Sequence, residues 1–158
     1  MHYQKNTTLQ ALINELPQIA DDEGFVREIY LDSVGLPTFG VGTLITPDME
    51  EHGQRVGTPV SDARAAEAFF GEVLHKTLGD GEAVFGESWD GFPIEAKQIF
   101  LNMLYNLGAS RFRGFKKMIA AAKDHDWKVA AVEAKDSKWY RQVKTRGERI
   151  VSRLESLA

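Results

Sequence analysis

Apolar residues recur at helical spacing near the start of the chain, at Leu9, Leu12, Ile13 and Leu16, behind the cap-like pair Thr7 and Thr8. Pro17 then opens a second short helix, for which Gly24 is the stop signal. From Phe25 to Ile45 the pattern changes to short runs rich in β-branched and aromatic residues, punctuated by Asp32-Ser33-Val34-Gly35 and by Gly40 and Gly42, which predicts a small antiparallel sheet. The polar stretch after Pro47, up to Thr58-Pro59, predicts a short helix and a loop. Ser61 caps a helix running to about Leu78, long enough to link two lobes. Gly79 to Gly91 reads as turn-rich. From Pro93 onward helical patterns follow one another, with breaks at Gly108, at Gly114, at 124–126 and at 143–145. No fixed-period repeat or low-complexity tract interrupts them. The predicted fold class is α+β, mainly α.

Composition narrows the chemistry. With 158 residues, 43% hydrophobic and 27% charged, the chain is the size of one domain, and no apolar run approaches the roughly 20 residues that span a bilayer, so no membrane insertion is expected. Cysteine is absent, which excludes disulfides, thiol nucleophiles and zinc-thiolate sites, and His2, His52, His75 and His125 lack metal-ligand spacing. No metal and no cofactor are expected. The opening MHYQKNTTLQ has neither the basic start nor the apolar stretch of a secretory signal, so the expectation is synthesis in a cytoplasm and export by a separate agent.

The net charge of −4 hides an uneven distribution: residues 1–110 hold 6 Lys and Arg against 17 Asp and Glu, whereas 111–153 hold 13 against 5. Such a basic region reads equally well as a solvated helical face or as a docking face for a polyanion. Its cations are helical and scattered rather than interleaved with aromatics, so no nucleic-acid partner is expected.

Glu23, Asp32 and Thr38 form a candidate catalytic set for glycoside hydrolysis, which needs a protonated carboxyl at the leaving oxygen and a second group on the opposite face of the sugar. Glu23 closes a helix beside Phe25 and Ile29, where partial burial would favour the protonated acid. Asp32 sits in a wetter turn, and Thr38 on the next strand offers a hydroxyl to a water held by Asp32. An inverting site of this kind sets its carboxyls roughly 6.5–9.5 Å apart, a retaining one about 5 Å. Taken singly, these residues are more often a solvated helix end, a turn former and a strand residue.

Two longer blocks change that weighing. DEGFVREIYLDSVGLPTFGVGTLIT, with Asp22-Glu23-Gly24, Ile29-Tyr30, Asp32, Gly35, Thr38 and the Gly40, Gly42 pair, resembles the catalytic block of the T-even phage lysozyme family. LNMLYNLGASRFRGFKKMI and WKVAAVEAKDSKWYRQVKTRGERIV resemble the same family's C-terminal lobe, in the same order. The resemblance covers residues 16–153, more loosely between 47 and 90. It implies a lysozyme-like two-lobe fold: an extension over 1–15, a sheet-bearing lobe over about 16–60, a linking helix over about 61–78 and a helical lobe over 79–158. It further implies a cofactor-free muramidase acting with inversion on bacterial peptidoglycan, in phage lysis or entry, with Glu23, Asp32 and Thr38 catalytic. Leu44, Tyr105, Met118 and Glu133 fall on the family's substrate contacts, and Gly42 and Asn106 line its cleft.

Some positions depart from that pattern. Met118 and Glu133 stand where the family resemblance carries a hydroxyl and an amide, and Thr43 replaces a histidine, removing an ion pair. Trp127, Trp139 and Tyr140 could form a sugar platform, but their spacing with Val129 to Val132 favours core packing. A monomer is expected, with the N-terminal extension as a candidate contact to virion proteins. The rival readings are a wall-binding module without turnover and a phage structural component.

Overall fold

A computed structural model describes residues 14–158. The extension's apolar residues Leu9, Leu12 and Ile13 lie outside them. The chain divides into two compact units, Leu16–His75 and a second made of Lys76–Ala158 with Asn14 and Glu15.

In the first unit, helix α1 occupies described residues 14–23. It passes through Pro17 without the break the sequence predicts, carried by packing that leaves Ile19 fully buried. It ends where expected: Gly24, at φ +86°, donates its N–H to Ala20 O at 3.0 Å, a left-handed stop that costs glycine little. Strands β1 (Val26–Leu31), β2 (Pro37–Gly40) and β3 (Thr43–Leu44) follow as an antiparallel sheet in that order. Tyr30 pairs with Thr38 and Thr38 with Leu44. The outer edge of β1 is covered by the chain at 57–60: Ile29 takes Thr58 O at 2.9 Å and Val60 takes Arg27 O at 2.9 Å. Ile29, Phe39, Val60 and Ala65 form the core, with Phe25, Ile45, Met49 and Ala68 packed against it.

Residues 47–57 are turns, and the predicted short helix after Pro47 is absent. Its backbone groups bond locally instead, as in Met49 N–H to Thr46 O and His52 N–H to Met49 O. Ser61 caps α2 (Asp62–Glu72) as predicted, accepting from Arg64 N–H at 3.1 Å.

Winding then continues past the predicted end at Leu78. A π-helical turn (Val73–Thr77) leads into α3 (Leu78–Phe85), so the segment expected to be turn-rich is helical through Phe85. Gly81 misled the reading because it serves packing: a Cβ there would lie 2.9 Å from the Trp89 ring. A 3-10 turn (Gly86–Ser88) precedes α4 (Ile94–Phe112), which kinks at Gly108, at φ 76° and ψ 160°. Helices α5 (Lys116–Lys123), α6 (Trp127–Lys135), α7 (Lys138–Val143) and α8 (Thr145–Ser156) complete the second unit; the breaks at 124–126 and near 143–145 fall where the sequence puts them, while the one at Asp136 and Ser137, where the Ser137 hydroxyl caps α7, was not predicted. Its core is aromatic. Phe85 lies 4.7 Å from Phe100 and 4.9 Å from Phe92 between ring centroids, and Trp127 lies 5.4 Å from Phe92.

Buried polar groups are paired across this unit. Asn102 donates to Glu15 Oε2 at 3.0 Å and accepts from Arg146 Nε at 2.9 Å, and Arg153 reaches Glu15 at 3.1 Å and Glu95 at 2.6 Å. No helix among the described residues is long and apolar enough to cross a membrane. The fold class is α+β, mainly helical, as expected.

Candidate active site

In the sheet-bearing unit three candidate residues follow one another along a short path of chain. Glu23 is the last residue of α1, Asp32 opens the β1–β2 turn and Thr38 lies on β2. Asp32 is fixed by its own turn. One carboxylate oxygen, Oδ1, accepts the backbone N–H of Val34 at 3.0 Å and of Leu36 at 2.9 Å, while the Asp32 N–H bonds back to Leu36 O at 2.9 Å. That arrangement orients the carboxylate and leaves Oδ2 outside the turn's hydrogen bonds. Thr38 is 3% exposed and its hydroxyl donates to Leu36 O at 2.9 Å. The hydroxyl's proton is thereby committed, and its lone pairs accept. Leu36 thus ties both residues together, through its N–H to Asp32 and its C=O to Thr38.

Glu23 is exposed. The partly apolar setting predicted for it is not found, because Phe25 and Ile29 turn into the sheet core instead of sheltering the helix end. Tyr30, which the sequence reading passed over, pairs with Thr38 across the strands. Partial burial and the negative charge of Asp32 raise its phenol above the ordinary range, so it stays a neutral O–H donor. Its signal was available: Tyr30 and Asp32 stand two residues apart, on one side of the strand's end. Gly42 is exposed in the β2–β3 turn and Leu44 is 45% exposed on β3. Beside them Thr43 is buried, and its hydroxyl finds no hydrogen-bond partner among the described residues.

A different candidate group lies in the helical unit. Met118 and Glu133 line one groove of roughly 520 Å³, together with Phe115 and Trp139. Met118, on α5, is fully buried, while Glu133, on α6, is half-buried. Arg111, Lys116, Lys117 and Lys138 make this groove cationic. Tyr105 and Asn106 lie half-buried on α4. Asn106 Oδ1 accepts the indole N–H of Trp139 at 2.8 Å. Trp139 is 5% exposed and Trp127 6%, consistent with the core-packing reading, although Trp139 also walls the groove.

Arg64 was also missed by the sequence reading. Its guanidinium grips the buried Glu51 carboxylate through Nε at 2.9 Å and a terminal nitrogen at 2.8 Å, and reaches Glu67 at 2.9 Å. The two residues are 13 positions apart in loop and helix, a separation that no periodicity links. Among the described residues, no cluster of three or more His, Asp or Glu is arranged to hold a metal ion.

Comparison with known proteins adds a common pattern. The family model described as phage lysozyme matches residues 20–155. Probable T4-type lysozyme 2 of Dictyostelium discoideum is 25% identical over 152 residues, covering 85% of this chain and 89% of the relative. Probable T4-type lysozyme 1 of the same organism is 26% identical over the same shares. The pre-baseplate central spike protein Gp5 of Enterobacteria phage T4 is 28% identical over 145 residues, 82% of this chain and 25% of that much longer protein.

Proposed function

The chain belongs to the phage lysozyme family, and on that premise we propose that it cleaves the β-1,4 bond between N-acetylmuramic acid and N-acetylglucosamine, with inversion at the anomeric carbon. Glu23 is the general acid that protonates the leaving oxygen. Asp32 and Thr38 hold the attacking water: Asp32 Oδ2 takes one of its protons as the new bond forms, and Thr38 Oγ1 accepts a hydrogen bond from the other. The water's lone pair is then aimed at the sugar. Tyr30 stands beside them as a neutral donor.

The observation that carries this reading is the Asp32 turn. A carboxylate whose Oδ1 is saturated by two backbone N–H groups cannot swing, and a base that must receive a proton at one fixed point gains from that rigidity. Leu44, Gly42, Tyr105, Asn106, Met118 and Glu133 are proposed to contact or line the path of the glycan and its peptides. Glu23→Gln is expected to lower wall clearing about a thousandfold while the circular dichroism spectrum stays unchanged. Clearing at the parent rate would overturn the acid assignment. For inversion, proton NMR of the first product from a defined wall oligosaccharide is expected to show the α-anomer at the new reducing end. A β-anomer would overturn the water-delivery scheme.

The similarity to the spike protein Gp5 favours a second reading, in which the protein acts during entry as part of a virion. Under the first reading it is a monomer made in the host cytoplasm and released to the wall by a separate route. Sedimentation with purified virions distinguishes them: entry predicts co-sedimentation, lysis predicts none.

A further inference from the structure

The register of the sheet lines up three side chains. Tyr30 on β1 pairs with Thr38 on β2, and Thr38 with Leu44 on β3, so the three form a row across the strands. Phe39, the next residue along β2, alternates to the other face and packs in the core with Ile29. Asp32 stands two residues beyond Tyr30, close enough for its charge to act on the phenol, which partial burial and that charge together hold above the ordinary range.

Hydrogen-bonding capacity in this group is uneven. An ionised Asp32 only accepts, and its Oδ1 is already occupied by the N–H groups of Val34 and Leu36. The Thr38 hydroxyl spends its proton on Leu36 O at 2.9 Å. Leu44 offers an apolar contact alone. Tyr30 is half-buried, and among the described residues its hydroxyl makes no hydrogen bond. Of the four side chains, Tyr30 is the one with a proton to give.

A water held by Asp32 and Thr38 directs both of its protons at acceptors and keeps two lone pairs. One lone pair attacks the anomeric carbon, and the other is met by neither residue. We propose that Tyr30 is a further catalytic residue, whose phenol donates to that second lone pair and completes a tetrahedral set of contacts around the attacking water. This assignment rests on the peptidoglycan-hydrolase reading and adds a donor to its water-delivery step. Tyr30 keeps its proton throughout: the water's proton passes to Asp32 Oδ2, the proton of Glu23 passes to the leaving oxygen, and the new C–O bond forms as the glycosidic bond breaks. The phenol fixes where the nucleophile points, so its contribution falls on turnover and not on substrate binding.

The test measures kcat and KM of the full chain on a soluble wall oligosaccharide. Tyr30→Phe keeps the ring and its packing and is expected to lower kcat roughly ten- to a hundredfold, with KM and melting temperature close to those of the parent. The phenol donates only while protonated, so kcat is expected to fall as pH rises through its pKa. Placing the more acidic difluorotyrosine at position 30 is expected to move that fall to lower pH, a shift that a packing role would not produce. A Tyr30→Phe variant with the parent's kcat, a loss confined to KM, or a pH profile unmoved by the fluorinated residue would overturn the assignment while leaving the hydrolase reading standing. A parent protein that fails to cleave the oligosaccharide would overturn both.

Discussion

Trp139 donates its indole N–H to Asn106 Oδ1 at 2.8 Å, joining α7 to α4 across 33 residues of sequence. Because Trp139 is 5% exposed, water has little access to replace the bond. Asn106→Leu strands a buried donor and is expected to cost about 1–3 kcal/mol in denaturant unfolding. Asn106→Asp keeps an acceptor and is expected to cost less. Equal midpoints for both variants and the parent would show that the bond contributes nothing.

The Arg64 hydrogen bonds hold the Glu51 carboxyl below its ordinary range, against the opposing effect of burial. A carboxylate depressed in the folded state contributes stability that is fully present above the unfolded value, near pH 4.3, and is lost as pH falls through the folded one. Acid titration of stability is therefore expected to show a loss below about pH 4 that is absent in Glu51→Gln. Arg64→Met, which leaves Glu51 buried and unpaired, is expected to cost about 3 kcal/mol at neutral pH. An unchanged melting temperature for Arg64→Met would contradict this.

Gly81 and Gly79 share α3 but should respond oppositely to the same change. Alanine favours a helix over glycine by about 1 kcal/mol. At Gly79 nothing lies within 4 Å of the new methyl, so Gly79→Ala should be stabilising. At Gly81 the methyl meets Trp89, which is 1% exposed and stacked on Phe85, and Gly81→Ala is expected to lose about 1–3 kcal/mol to overpacking. Thermal melts of the two variants would refute the account if both moved in one direction.

Asp32→Asn retains a side-chain oxygen for the Val34 and Leu36 N–H groups, so the turn should persist while the proton acceptor is lost. The expectation is a fall in kcat of about a hundredfold or more, with little change in stability. Thr38→Ser preserves the accepting hydroxyl and should remain active, whereas Thr38→Val should not. Comparable kcat values for those two Thr38 variants would remove the hydroxyl from the mechanism.

The sheet was legible because its signals are local: short runs of β-branched and aromatic residues between Phe25 and Ile45, a glycine stop at Gly24 and the Asp32 to Gly35 turn. The helix breaks at 124–126 and near 143–145 were legible for the same reason, whereas the one at Asp136 and Ser137, with no glycine or proline to mark it, was not. Gly81 shows what local reading misses, since a glycine chosen to admit a tryptophan looks the same in sequence as one chosen to end a helix. The polar run after Pro47 misled in the opposite way, carrying helix-compatible residues into a string of turns.

At the candidate site, the sequence proposes residues but does not announce their surroundings. Glu23 is exposed because Phe25 and Ile29 face the sheet core, which depends on strand register. The proton of Thr38 is spent on Leu36 O, a bond no spacing rule announces. The sharing of Arg64 among Glu50, Glu51 and Glu67 depends on how the loop before α2 folds back onto it.

The π-helical turn over Val73–Thr77 fits one extra residue into a helix that never stops. Removing a single residue there would let ordinary winding close up and change the helical phase at which α3 begins by about 100°. To keep Phe85 against Phe92, Phe100 and Phe112, the mismatch would have to be absorbed within the helix itself, at the expense of its backbone hydrogen bonds. Chain length in this five-residue stretch is therefore a phase setting for α3, and a one-residue deletion should be far more damaging than any single substitution within it.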